Sequence, residues 1–154
     1  MRGMTLFALF WTAQAAMGAE STYDFTVCTH SRYTPLEANV DIVTFGVENW
    51  GVVASSSTKF WEQASTHCVG YIRVTAGKAI GKGTCKWTEA TGGTAVGEWE
   101  YPPNGEPTWT WLSGTGSLKG ITGGGSFRDL FSAKPSEPGT GQGCRRDTGK
   151  YQVP

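Results

Sequence analysis

The chain has 154 residues, 13 cationic and 13 anionic side chains, and 38% hydrophobic residues, which suits one domain with one modest core. The cations are scattered singly apart from Arg145-Arg146, so no basic stripe forms, and nucleic acid is excluded as an expected partner. Twenty-two glycines beside abundant Thr, Val and Trp point to many short strands joined by tight turns, and away from disorder.

Residues 1–19 read as a secretory signal peptide. Arg2 supplies a basic start, and Leu6-Phe7-Ala8-Leu9-Phe10-Trp11 supplies a short apolar core. Ala13-Gln14-Ala15 and Ala16-Met17-Gly18 both fit the small-residue cleavage rule, which places the cut between Ala15 and Glu20. The apolar run falls far short of the ~20 residues that span a bilayer. The expectation is an exported protein, periplasmic or extracellular, with no membrane span after cleavage and a single β-barrel domain over residues 20–154.

Ser21 to Thr29 alternates Tyr23, Phe25 and Val27 on one face, a first strand. A polar stretch from His30 to Glu37 follows, with Pro35 as a breaker. Val40 to Trp50 is a longer strand with apolar residues on both faces, and Val52-Val53 extends it beyond Gly51. Ser55 to Thr58 reads as a loop, and Lys59 to Ser65 as one helical turn that drops Phe60 and Trp61 onto a barrel mouth. His67 to Thr75 and Lys78 to Glu89 form a hairpin around Ala76-Gly77. Thr94 to Tyr101 alternates Trp99 and Tyr101 against Glu98 and Glu100. Thr108 to Leu112 and Ser126 to Phe131 flank a glycine-punctuated reversal. Ala133 to Gly143 is an exposed loop, and Cys144 to Val153 closes the count. About eight short strands with turn signals at intervals of about 8 to 12 residues read as an all-β, antiparallel closed barrel.

Four cysteines in an exported chain imply two disulfides. Positions facing each other across the Ala76-Gly77 turn sum to 153, as 68 and 85 do, so Cys68 meets Cys85 at disulfide distance. Cys28 and Cys144 remain, and their bond ties the first strand to the last, as barrel closure requires. No C-x-x-C spacing occurs, so neither a metal site nor a cofactor is expected.

The segment Gly114-Thr115-Gly116-Ser117-Leu118-Lys119-Gly120-Ile121-Thr122-Gly123-Gly124-Gly125-Ser126-Phe127 resembles the G-T-G-x-[FL]-x-G-[IA]-x-G-x-G-x-[FY] pattern of the dirigent and allene oxide cyclase barrel superfamily. The wider chain is similar to small exported bacterial proteins of that class. Their HCVG-type strand, K-W-T/D segment and C-x-x-x-T-G-x-Y end match His67 to Gly70, Lys86 to Thr88 and Cys144 to Tyr151. The resemblance implies a barrel and allows a cofactor-free isomerase or cyclase. It carries over no site residue.

The same glycines do not form a phosphate loop, because neither nucleotide spacing is met and the flanks are strands. Trp87, Trp99, Trp109 and Trp111 fall on consecutive strands, where they either line a lumen and stack on a flat ligand or fill the core solidly. Arg73 shares a face with Tyr71 and His67, while Asp129 shares one with Phe127 and Phe131 and is the better candidate for an inward charge. The expected function is non-catalytic binding of a small apolar or aromatic molecule by Trp87, Trp99, Trp109, Trp111, Tyr71, Arg73 and Asp129. Two alternatives stay open: the isomerase or cyclase, and a filled barrel that acts as an interaction protein through surface loops.

Overall fold

A computed structural model describes residues 18–39, 41–59 and 61–154. The leader expected over residues 1–19 therefore lies, except for Gly18 and Ala19, outside the described residues. Eight strands follow in order: β1 (Ser21–Ala38), β2 (Ile42–Ser56), β3 (Ser65–Thr75), β4 (Lys78–Thr88), β5 (Thr94–Tyr101), β6 (Thr108–Thr115), β7 (Thr122–Ala133) and β8 (Thr140–Gln152). Each pairs antiparallel with the next, and β8 returns to β1, closing the barrel. Gly116–Leu118 forms a short 3₁₀ turn between β6 and β7.

Pro35 does not break β1. Past Arg32 the strand has lost β8 as a ladder partner and pairs with β2 alone, so the missing proline N–H disrupts little. A bulge between Pro35 and Glu37 absorbs the irregularity.

The β3–β4 hairpin has the expected register, with Thr75 opposite Lys78 and Cys68 opposite Cys85. Ala76 and Gly77 have φ of 50° and 76°, as a two-residue hairpin turn that matches strand twist requires. Both expected disulfides are present, with Cα–Cα separations of 4.0 Å for Cys28–Cys144 and 3.9 Å for Cys68–Cys85. They lie on opposite sides of the wall. Cys68 and Cys85 are buried inside, whereas Cys28 and Cys144 are half-buried on the face that alternates with inward Phe25 and Val27.

One end of the barrel is packed solid. Tyr23, Phe25, Trp87, Trp109 and Trp111 point inward there, and Trp61 descends from the β2–β3 connection to stack on Trp111 at 4.8 Å. The connection is pinned by a hydrogen bond from the Val53 amide to the Ala64 carbonyl, 2.8 Å long. The expected helical turn is thus a hydrogen-bonded turn that delivers Trp61, while Phe60 lies outside the described residues. Leu118 and Ile121, from the glycine-rich stretch, complete the plug. Glu89 ties it down: its buried carboxylate accepts from Thr91 Oγ1 at 3.0 Å and from Ser117 Oγ, joining the β4–β5 turn to the β6–β7 connection.

Among the described residues no helix is long and apolar enough to cross a membrane. The two disulfides are compatible with an oxidising compartment.

Candidate functional site

The other end of the barrel is open. There the wall residues shrink to Thr29 and Ser31 on β1 and Asn49 on β2, and the lumen holds a cavity of about 400 Å³. Trp99 and Tyr101 of β5, Ile72 of β3 and Tyr33 of β1 give it an aromatic and aliphatic wall. Trp99 lies flat against that wall because Gly70 and Gly83 face each other beneath it, where a Cβ on either would collide with its ring.

The polar part of the cavity comes from β8. Arg145 lines it, and Arg145 Nε donates to Asp147 Oδ2 at 3.1 Å. Asp147 is only 2% exposed and stands behind Arg145, not on the cavity wall. Burial pushes the Asp147 carboxyl above the usual carboxylate range, against the pull of the Arg145 charge. The Arg145 guanidinium also sits over the Phe127 ring, 4.6 Å from its centroid. Across the wall Tyr101 is pushed up to about 12, first by burial and then by the negative charge of Asp129.

Two buried polar atoms on this cavity's residues lack a hydrogen-bond partner within the protein: Arg145 Nη2 and Asn49 Oδ1. A guanidinium is always charged and only donates, so the buried Nη2 is left with a donor that only an acceptor oxygen could meet. The amide oxygen of Asn49 calls for a donor.

The residues expected from sequence divide three ways. Trp99 and Asp129 line the cavity, Asp129 at its exposed rim. Trp87, Trp109 and Trp111 do not line it; they are buried in the plug, because their positions on β4 and β6 fall at the packed end. Tyr71 and Arg73 point outward, since Cys68, Gly70 and Ile72 take the inward positions of β3; Tyr71 is 40% exposed and Arg73 Nε bonds Thr44 Oγ1 at 3.3 Å. Asp129 does not share a face with Phe131. An extra residue, Leu130, bulges β7 so that Asp129 faces Arg145 while Phe131 faces Cys144 on the outer wall. Arg145, Asp147 and Asn49 went unforeseen; Tyr101 was expected only on the face of Trp99, and Trp61, expected over a barrel mouth, packs into the plug. Among the described residues no cluster of three or more His, Cys, Asp or Glu side chains is gathered.

No family model and no curated protein matches the chain. Its structure is similar to that of the pterocarpan synthase dirigent protein GePTS1, with a TM-score of 0.51 and 9% identity, over 94% of this chain and 100% of that one. At that identity the likeness is one of architecture, and it agrees with the closed eight-strand topology: the chain has the fold of a dirigent-like β-barrel.

Proposed function

We propose that the protein is an exported binding barrel that holds a small aromatic molecule, carrying an acceptor oxygen, in the open half of its lumen. The observation that carries this reading is Arg145 Nη2, a buried donor without a protein partner beside an aromatic-walled cavity. Binding is favoured over chemistry because the buried carboxylate of Asp147 stands behind Arg145 and orients it. Export is supported by the two disulfides and by the leader pattern.

The test is titration of the intrinsic tryptophan fluorescence with 4-hydroxyacetophenone, whose ketone faces Arg145 in this reading. Saturable binding that is lost in the Arg145→Met/Asp147→Asn double variant, with the barrel still folded, supports the reading. Undiminished binding by that variant overturns it.

A cofactor-free isomerase or cyclase is the second reading. It is favoured by Tyr101 and Asp129, a phenol and a carboxylate that both line the cavity, where burial and then the Asp129 charge hold the phenol proton in place. Recovery of the bound molecule in altered form after incubation with the protein would establish it.

A further inference from the structure

A carbonyl and a carboxylate both offer Arg145 an acceptor oxygen, and the charges around the lumen separate them. Arg145 is the one cation among the described residues that line the cavity, and its Nε already donates to Asp147 Oδ2 at 3.1 Å. Asp129 is the one anion on the same lining. With Asp147 ionised, one positive charge stands against two negative; with Asp147 protonated, one stands against one. Neither state leaves positive charge to spare.

Asp129 owes its place to the course of β7. The register sets it opposite Arg145 on β8, just before the bulge at Leu130. Only Thr108–Ser126, Trp109–Gly125 and Thr110–Gly124 pair β6 with β7, so Asp129 stands past that junction, where β7 is paired with β8 alone. Its carboxylate is therefore exposed at the rim, where the cavity opens. The field of that charge reaches inward. Burial comes first in raising both Tyr101 and Asp147, and the negative charge of Asp129 adds to the rise at each. A carboxylate entering here sheds its water without gaining a counter-ion, whereas an uncharged carbonyl adds no charge to the lumen. Like charge at an entrance is also a device against the wrong ligand.

We propose that the lumen admits neutral carbonyl compounds and turns away the matching carboxylates, with Asp129 as the residue that sets this preference. This rests on the lumen reading above and narrows it from any acceptor oxygen to an uncharged one.

The experiment compares 4-hydroxyacetophenone with 4-hydroxybenzoate, one ring bearing a methyl ketone or a carboxylate, by isothermal titration near neutral pH. The native protein binds the ketone at least about tenfold more tightly. Asp129→Asn, which keeps the shape and removes the charge, narrows that ratio severalfold, and Asp129→Glu, which keeps the charge, preserves it. Asp129 is exposed, so neither variant disturbs the core. If the carboxylate binds as tightly as the ketone, the charge preference is overturned and the lumen reading stands, because an acceptor oxygen still meets Arg145. If Asp129→Asn leaves the ratio unchanged, Asp129 does not set the preference and the proposal is likewise overturned. If neither compound binds, the lumen reading itself falls, and the charge preference falls with it.

Discussion

Asp129 and Phe131 stand two residues apart in β7 and face opposite sides of the barrel wall. The bulge at Leu130 reverses the alternation, leaving Phe131 58% exposed beside the outer disulfide while Phe127 stays buried. Truncating the two phenylalanines should therefore have unequal effects. Phe131→Ser should change stability by less than about 0.5 kcal/mol, as surface substitutions do. Phe127→Ala should cost roughly 3 to 5 kcal/mol, and it also removes the ring beneath Arg145. Urea unfolding of the two variants checks this; equal losses would mean that alternation runs unbroken through Leu130.

The Arg145–Asp147 pair predicts a strong non-additivity. Removing Arg145 alone strands a buried carboxylate and should cost about 3 to 5 kcal/mol. Removing both charges in Arg145→Met/Asp147→Asn should cost less than that single change, because no uncompensated charge is left. A double-mutant cycle on unfolding free energies measures the coupling. A double variant as unstable as the two singles summed would show that the pair does not act as a unit.

The carboxylates on the two faces of the barrel should titrate in opposite directions. Burial raises Asp147, so the folded protein keeps a proton that the unfolded chain has released. Its contribution favours folding at low pH and is lost as pH rises from the unfolded value through the folded one. Asp24 is the reverse case. The hydrogen bond from Arg146, then its charge, holds Asp24 low, so its contribution is present above the unfolded value and lost as pH falls through the folded one. Asp24 is widely exposed, and solvent screening keeps its effect small. Carbon-detected NMR titration of the side-chain carboxyls should place the Asp147 midpoint above that of Asp24; the opposite order would refute the burial argument.

The two disulfides should differ both in reducibility and in worth. Cys28–Cys144 spans 116 residues and Cys68–Cys85 spans 17, so chain entropy assigns them roughly 4 to 5 and roughly 3 kcal/mol. The longer tie is the one on the outer face. Graded reduction followed by alkylation and mass spectrometry should therefore label Cys28 and Cys144 first, although that bond contributes more by chain entropy. Labelling of Cys68 and Cys85 first would place the inner bond within reach of solvent.

The disulfide pairing and the number of strands could be read from the sequence because both follow from short-range rules. The Ala76-Gly77 turn fixes the Cys68–Cys85 register by counting outward, and alternation around Tyr23, Phe25 and Val27 marks an inward face. The cavity was hidden because its polar groups occupy positions that normally signal solvent. Arg145, Asp147 and Gly149 look like the outward face of β8. A signal was nonetheless present. Cys28 sits on the outward face of β1, so its partner Cys144 must be outward too, which turns Arg145, Asp147 and Tyr151 inward. The bulges at Leu130 and near Leu112 carry no local mark, and they decide which side Phe131 faces and where the β6 tryptophans stop. Trp61 was recognisable as an apolar residue in a polar connection, but its partner Trp111 lies fifty residues away in sequence.

Because β6 and β7 overlap by only three residue pairs, the barrel's resistance to opening is unevenly distributed. A cooperative shell loses protection first where the fewest cross-strand bonds must break together. Backbone amides of Arg128, Asp129 and Leu130 that point toward β6 should exchange with solvent through brief local openings, while those of β1 between Phe25 and Arg32, clasped on both sides, wait for global unfolding. The barrel is in this respect a cuff with one short overlap, able to widen there without losing its closure elsewhere.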